Sequence, residues 1–348
     1  MVIDANVYWL PEALFEDAQM MARFLADIPR GYDTRGYVRM NGARKQVVIE
    51  RPLGCPSLDY LEGDYALEAM LGALKAAGVD RAVLKVPCAH EWMSLPMCRL
   101  FNDGMAAFEA ASGGALKGLA VIPPWGDAES LRELERCGAD LHMAGVQLSA
   151  HYGSLYLDDP AFEPLFCKLN EFGMTAYVHH TPVPVEYAAL AGYNNLRRSY
   201  GRCVDQTTAV ARELFSGMFK KYPRVKVVHS MLGGGFFAYL NMMLPPAPAG
   251  GEAAKRFDDG NAELRGFLRD NIFFEMSHAQ PWGKAQLECA VQTLGADKIL
   301  YGSSYPVRAE WMTGGPAFVR SLDIPEEEKD MILWKNAARL YRLETEGT

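Results

Sequence analysis

No Cys-x-x-Cys pair occurs in this sequence: its seven cysteines (Cys55, Cys88, Cys98, Cys137, Cys167, Cys203 and Cys289) are scattered and odd in number. That pattern excludes a disulfide framework and a structural zinc knot, and it implies a reducing compartment. Lys and Arg form no cluster, so there is no track for nucleic acid. No apolar run approaches the roughly 18 residues of a membrane span. The opening Met1-Val-Ile-Asp-Ala-Asn6 lacks the basic-then-apolar order of an export signal, so the expected location is the cytoplasm. Internal repeats and linker-like stretches are also missing.

What is present is a chain of 348 residues with 49% hydrophobic residues, ample for a large core, and a net charge of -8. Short β-branched runs alternate with helical patterns from end to end, the signature of parallel strands joined by crossover helices. The runs are Val2–Asp4, Arg81–Val86, Leu116–Ile122, Ala144–Leu148, Thr175–Val178, Val225–Val228, Ile272–Glu275 and Ile299–Tyr301. Eight such units predict an α/β fold, a (β/α)8 TIM barrel, as a single domain over residues 1–348. Residues 10–63 interrupt the alternation after the first strand and are expected to form an inserted cap, with Asn41-Gly42 as a two-residue hairpin turn. The Pro-, Ala- and Gly-rich stretch from Pro245 to Asn261 reads as an exposed loop.

Barrel enzymes carry their chemistry at the C-terminal strand ends, and histidine stands there. His151 follows the fourth strand, His179 and His180 end the fifth, His229 ends the sixth and His278 follows the seventh. Neighbouring strands would bring these imidazoles into one mouth as acid, base or ligand. His179 and His229 are expected within roughly 4 to 7 Å of each other, given the inter-strand spacing. Alternation along a strand favours His179 over His180. The Gly233-Gly-Gly235 run admits two readings, backbone N–H groups offered to an anion or close packing of helix on strand.

The motifs Ile3-Asp-Ala-Asn-Val-Tyr8, Tyr177-Val-His-His180, Val227-Val-His-Ser-Met-Leu-Gly-Gly-Gly235, Tyr301-Gly-Ser-Ser-Tyr-Pro306 and Asn336-Ala-Ala-Arg-Leu340 together resemble the amidohydrolase-related family that includes aminocarboxymuconate semialdehyde decarboxylase and resorcylate-type decarboxylases. In that family an Asp-x-His-x-His pattern, a His from each of strands five and six, and a Gly-Ser-Asp-x-Pro motif bind one zinc or manganese ion. The matching positions here are Asn6, Tyr8, His179, His229 and Ser304, so two of five ligand positions keep an imidazole.

Neutral Asn and Ser oxygens and a protonated Tyr hold a divalent ion poorly, so no tightly bound metal is expected. The resemblance then implies a lyase of decarboxylase or hydratase type, or a hydrolase, acting on a small carboxylated cyclic or aromatic molecule. His179 and His229 would be its acid/base pair and His278 an aid to proton transfer. Asn6, Tyr8, Ser304 and Tyr305 would contact the substrate, and Arg308 would clamp its carboxylate. Two alternatives stand beside this reading. One is a zinc or manganese ion held by His179 and His229, with His151 or His278 in a rearranged site. The other is a non-catalytic subunit paired with an intact paralogous barrel; a homodimer is also compatible.

Overall fold

All eight β-branched runs form strands in the computed structural model, which describes residues 1–29, 33–245, 261–278 and 280–343. They are β1 (Ile3–Tyr8), β2 (Arg81–Lys85), β3 (Leu116–Val121), β4 (Gly145–Ser149), β5 (Thr175–His179), β6 (Lys226–His229), β7 (Ile272–Glu275) and β8 (Ile299–Leu300), lying parallel in chain order. The last edge meets the first. Ala5 N donates to Tyr301 O at 2.9 Å, Ser304 N to Asn6 O at 2.7 Å and Tyr8 N to Tyr305 O at 2.7 Å, with a parallel bridge between Val7 and Tyr305. The sheet is thereby a barrel, without an open edge to pair elsewhere.

Alternation along each strand sorts two cores. Ile3, Ala5, Val83, Leu119, Tyr177, Val228, Phe273 and Leu300 fill the interior, with Leu340 and Tyr341 packed at the base. The opposite faces, such as Ala82, Val146, Val178 and Val227, meet the surrounding helices in the larger outer core. Helix starts follow local chemistry: Asp127 accepts from Glu129 N and Ser130 N to cap Ala128–Ala139. Asp159 accepts from Ala161 N at the turn that leads into Glu163–Phe172.

Between β1 and β2 the chain forms helices Ala13–Glu16 and Ala18–Asp27 and a three-stranded antiparallel sheet of Arg35–Asn41, Arg44–Glu50 and Pro56–Leu61. Its first hairpin turn falls one residue later than Asn41-Gly42. Asn41 pairs with Arg44, and the loop is Gly42-Ala43 with Gly42 at φ 62°, because glycine takes positive φ without a Cβ penalty. Pro316 lies inside helix Ala309–Arg320. Most of the expected loop from Pro245 to Asn261 lies outside the described residues.

Candidate active site

A bulge in β1 shifts its register between Asp4 and Val7. Ile3 and Ala5 face the barrel interior, and beyond the shift Asn6 and Tyr8 turn toward the mouth. The Tyr8 hydroxyl lies 2.8 Å from His179 Nε2, and His179 Nδ1 lies 2.6 Å from the His180 carbonyl. With Nδ1–H donated to that carbonyl, Nε2 is the lone-pair nitrogen and Tyr8 O–H is its donor. A backbone carbonyl on one nitrogen is the usual way of orienting a ligating imidazole.

His180 stacks on His179 with ring centroids 4.1 Å apart, and Cys88 Sγ lies 3.9 Å from His179 Nδ1. Cys88, His179 and His180, all buried, each place one donor atom within 4.8 Å of the others. Burial, then the neighbouring His90 and Lys85, hold the His179 imidazole well below its ordinary pKa. Burial and His179 do the same to His180. Both rings are therefore neutral, the form that ligates metal. Burial raises the Cys88 thiol to about 12 and, with Cys88 beside it, lifts the Tyr8 phenol well above its usual value. His90, 5.4 Å from His179 ring to ring, is fixed by Gln147 Nε2 on Nδ1 and Ser149 Oγ on Nε2, each at 2.9 Å, and burial takes it down to about 3.

Asn6 and Ser304 engage one another. Asn6 Nδ2 faces Ser304 Oγ at 3.0 Å, Ser277 Oγ at 2.8 Å and Glu275 Oε2 at 2.9 Å, while Tyr177 O–H donates to Glu275 Oε2 at 2.8 Å. Below this network the Lys85 ammonium donates to Ala5 O at 2.9 Å and sits 3.5 Å from the Tyr177 ring centre. Burial pushes its pKa well down against the pull of Glu275 and Asp4. Asn6 and Ser304 thus belong to a polar layer that ties β1, β7 and the chain after β8 together.

The other expected residues scatter. His229 is not brought to His179. Its Nδ1 faces Gln206 Oε1 and its Nε2 faces Glu213 Oε2, both at 2.9 Å, on the outer helix Gly201–Phe215. Parity explains this correction: Val228 fills the barrel interior, so the next residue points outward. The Oγ of Ser230, the next residue, accepts from His180 N at 3.0 Å and from Gln206 Nε2 at 3.1 Å. His180 joins the site because β5 ends at His179 and strand alternation ends with it. His151 is held by Gly153 O on Nδ1 and by Thr181 and Asp205 on Nε2, away from the Cys88, His179 and His180 cluster. His278 is half-buried at the rim, 5.3 Å from the His180 ring and 4.6 Å from Trp311, with Nδ1 3.3 Å from Ser277 Oγ. Tyr305, also half-buried, contributes its backbone to barrel closure. Arg308 is exposed, over the Trp311 ring at 4.9 Å and 3.4 Å from Glu310, so it does not reach in as a clamp. The glycine run is a packing device: a Cβ on Gly234 would stand 1.8 Å from the Cys203 carbonyl oxygen.

On the cap side of the mouth, a cavity of about 350 Å³ is lined by Arg51, Glu91, Trp92, His151 and Pro184, among others. Residues 63–343 match the model of the amidohydrolase family. The chain belongs to that family. It is 24% identical over 302 residues to gamma-resorcylate decarboxylase of Polaromonas sp., covering 81% of this chain and 86% of the relative. The fold is similar to 5-carboxyvanillate decarboxylase LigW of Sphingomonas paucimobilis, with a TM-score of 0.75, 22% identity and 99% of each chain covered. It is also similar to the Novosphingobium aromaticivorans 5-carboxyvanillate decarboxylase, with a TM-score of 0.74, 18% identity, and 99% of this chain and 97% of that chain covered. The family's likeness is to its decarboxylase-like branch, whose enzyme class is carboxy-lyase.

The Novosphingobium structure holds manganese, which overturns the expectation of a barrel without a tightly held metal. The donors of this chain fit a divalent ion through one position of the family motif, His179, and two outside it, Cys88 and His180, where two imidazoles and a thiol converge. A sulfur and two imidazole nitrogens form a set that suits zinc better than manganese. The signal for Cys88 was its place just after β2, at a strand end like the histidines.

Proposed function

We propose that this chain is a carboxy-lyase that removes CO2 from a small carboxylated aromatic acid, with a divalent ion held by Cys88, His179 and His180. The observation that carries it is the convergence of those donors with Tyr8 at the C-terminal strand ends of a decarboxylase-type barrel. When bound, such an ion supplies Lewis-acid polarisation of a substrate oxygen.

The remaining work belongs to the chain's own groups. Decarboxylation needs a proton on the ring carbon that bears the carboxylate. The bond to the carboxyl carbon then breaks, its electron pair restores the aromatic ring, and CO2 departs. Tyr8, whose O–H is donated to His179 Nε2, accepts a hydrogen bond from a hydroxyl group on the substrate ring. His278 delivers the proton in this reading, which is supported by its half-buried position at the rim and by Ser277 engaging only its Nδ1. Burial, with Arg202 and Arg308 nearby, lowers its pKa to about 3, and a bound carboxylate opposes that shift. The buried neighbours of the mouth limit water around the reacting carbon.

The test is CO2 release from a panel of ortho-hydroxybenzoic acids by protein loaded with zinc or manganese. Turnover of at least one acid is expected, falling about 100-fold or more in His278→Gln. No CO2 from any acid with either metal, in protein whose metal content is verified, contradicts the proposal.

A further inference from the structure

Arg202 is the second residue of helix Gly201–Phe215 and is only 8% exposed. Its Nε and Nη2 are buried and have no hydrogen-bond partner among the described residues. A guanidinium stays charged in a protein, and a buried charge without a counter-charge is costly, so the missing partner demands an explanation. The surroundings indicate where the group lies. Its charge acts on Cys88, Tyr8 and Glu91, and it helps lower the pKa values of His180 and His278. These residues are the wall of the mouth described above.

The unpartnered atoms are also the right ones. Nε and Nη2 form the side-on edge of a guanidinium, the edge that presents two parallel N–H groups to a carboxylate. Elsewhere in this molecule Arg212 uses it on Asp158, at 2.8 and 3.0 Å, and Arg269 uses it on Asp270, at 2.9 Å for both bonds. In the mouth no Asp or Glu takes that place on Arg202. Glu91, whose charge acts on Arg202, forms an ion pair with Arg51 at 3.6 Å, and burial raises its pKa to about 7.

We infer that Arg202 binds the carboxylate of the incoming acid through its Nε and Nη2 edge, the role the sequence suggested for Arg308. The inference rests on the carboxy-lyase reading only for the aromatic nature of the ligand; the anion site itself follows from the orphaned guanidinium.

The experiment is calorimetric titration of the full-length metal-loaded protein with salicylate and, separately, with phenol, comparing wild type, Arg202→Gln and Arg202→Lys. Wild type should bind salicylate more tightly than phenol. Arg202→Gln should weaken salicylate by about 10- to 100-fold, as expected for loss of charge-assisted hydrogen bonds, and leave phenol unchanged. Arg202→Lys should restore salicylate only in part, because an ammonium cannot make the bidentate contact. Removal of an unpaired buried charge should also leave the ligand-free melting temperature of Arg202→Gln equal to or above that of wild type. Equal loss of both ligands, an unchanged salicylate affinity, a wild type that does not prefer salicylate, or a lowered melting temperature overturns the inference. Arg202-dependent salicylate binding without CO2 release from any acid sinks the carboxy-lyase reading and leaves the clamp standing. CO2 release with an unchanged KM in Arg202→Gln does the reverse.

Discussion

His179 and His229 end adjacent strands, yet they have opposite consequences when removed. His179 lies in the mouth against Tyr8 and Cys88, whereas His229 bridges Gln206 and Glu213 outside the barrel wall, with Glu213 itself buried. His229→Ala leaves a buried carboxylate alone and should lower unfolding stability in a urea titration by about 3 to 5 kcal/mol. His179→Ala should change stability much less while reducing metal content in elemental analysis. The reverse pattern contradicts the placement of both side chains. The sequence marked both as strand-end histidines, and the parity of β6 carried the distinction: Val228 is the interior residue, so His229 cannot be.

Asp4 makes a second residue-scale prediction. Its Oδ1 accepts from Asn6 N at 2.9 Å and Ser303 N at 3.0 Å, and burial raises its pKa from 3.8 to about 7. The folded protein therefore holds this proton more tightly than the unfolded chain. The associated stability is complete below about pH 4 and is lost as the pH rises through about 7. Asp4→Asn retains an amide oxygen for the two donors and has no charge to bury. Its melting temperature relative to wild type should rise between about pH 4 and pH 7 and level off above that. Parallel melting curves across that range contradict the shift.

At the scale of elements, the turn after β6 is fixed by contact rather than by ligand binding. Gly233, Gly234 and Gly235 have φ of 58°, 67° and 95°, and at Gly234 the backbone meets the Cys203 carbonyl of helix Gly201–Phe215. A Cβ there adds strain from the left-handed backbone to a collision with rigid main chain. Gly234→Ala should cost on the order of 3 kcal/mol or more in unfolding stability. A loss below about 1 kcal/mol contradicts the contact. Strand and helix periodicity made the barrel elements legible, down to the order β1 to β8. Periodicity does not report a bulge, so the turn of Asn6 and Tyr8 toward the mouth after Ala5 was not legible, nor was the escape of His180 from strand alternation. The cap was legible only as an interruption, because its short helices and meandering strands have weak local patterns.

For the whole molecule, closing the barrel brings residues from far apart in sequence into one mouth: Tyr8 at the end of β1, Cys88 after β2, His179 and His180 at β5, Arg202 on the helix that follows and His278 after β7. The family positions Asn6 and Ser304 have become a hydrogen-bonded layer with Glu275. The candidate donors Cys88, His179 and His180 converge beside Tyr8. Motif comparison predicts a depleted site because it examines only the inherited positions; in the proposed site the replacement donors are Cys88 and His180, which the family pattern does not include. The measurement that tests this relocation most directly is anomalous diffraction at the zinc edge from crystals of the zinc-loaded protein. One peak within bonding distance of Cys88 Sγ and of a nitrogen on each of His179 and His180 is the predicted result. A peak at Asn6 and Ser304 instead, or no peak in the mouth at full zinc loading, contradicts it.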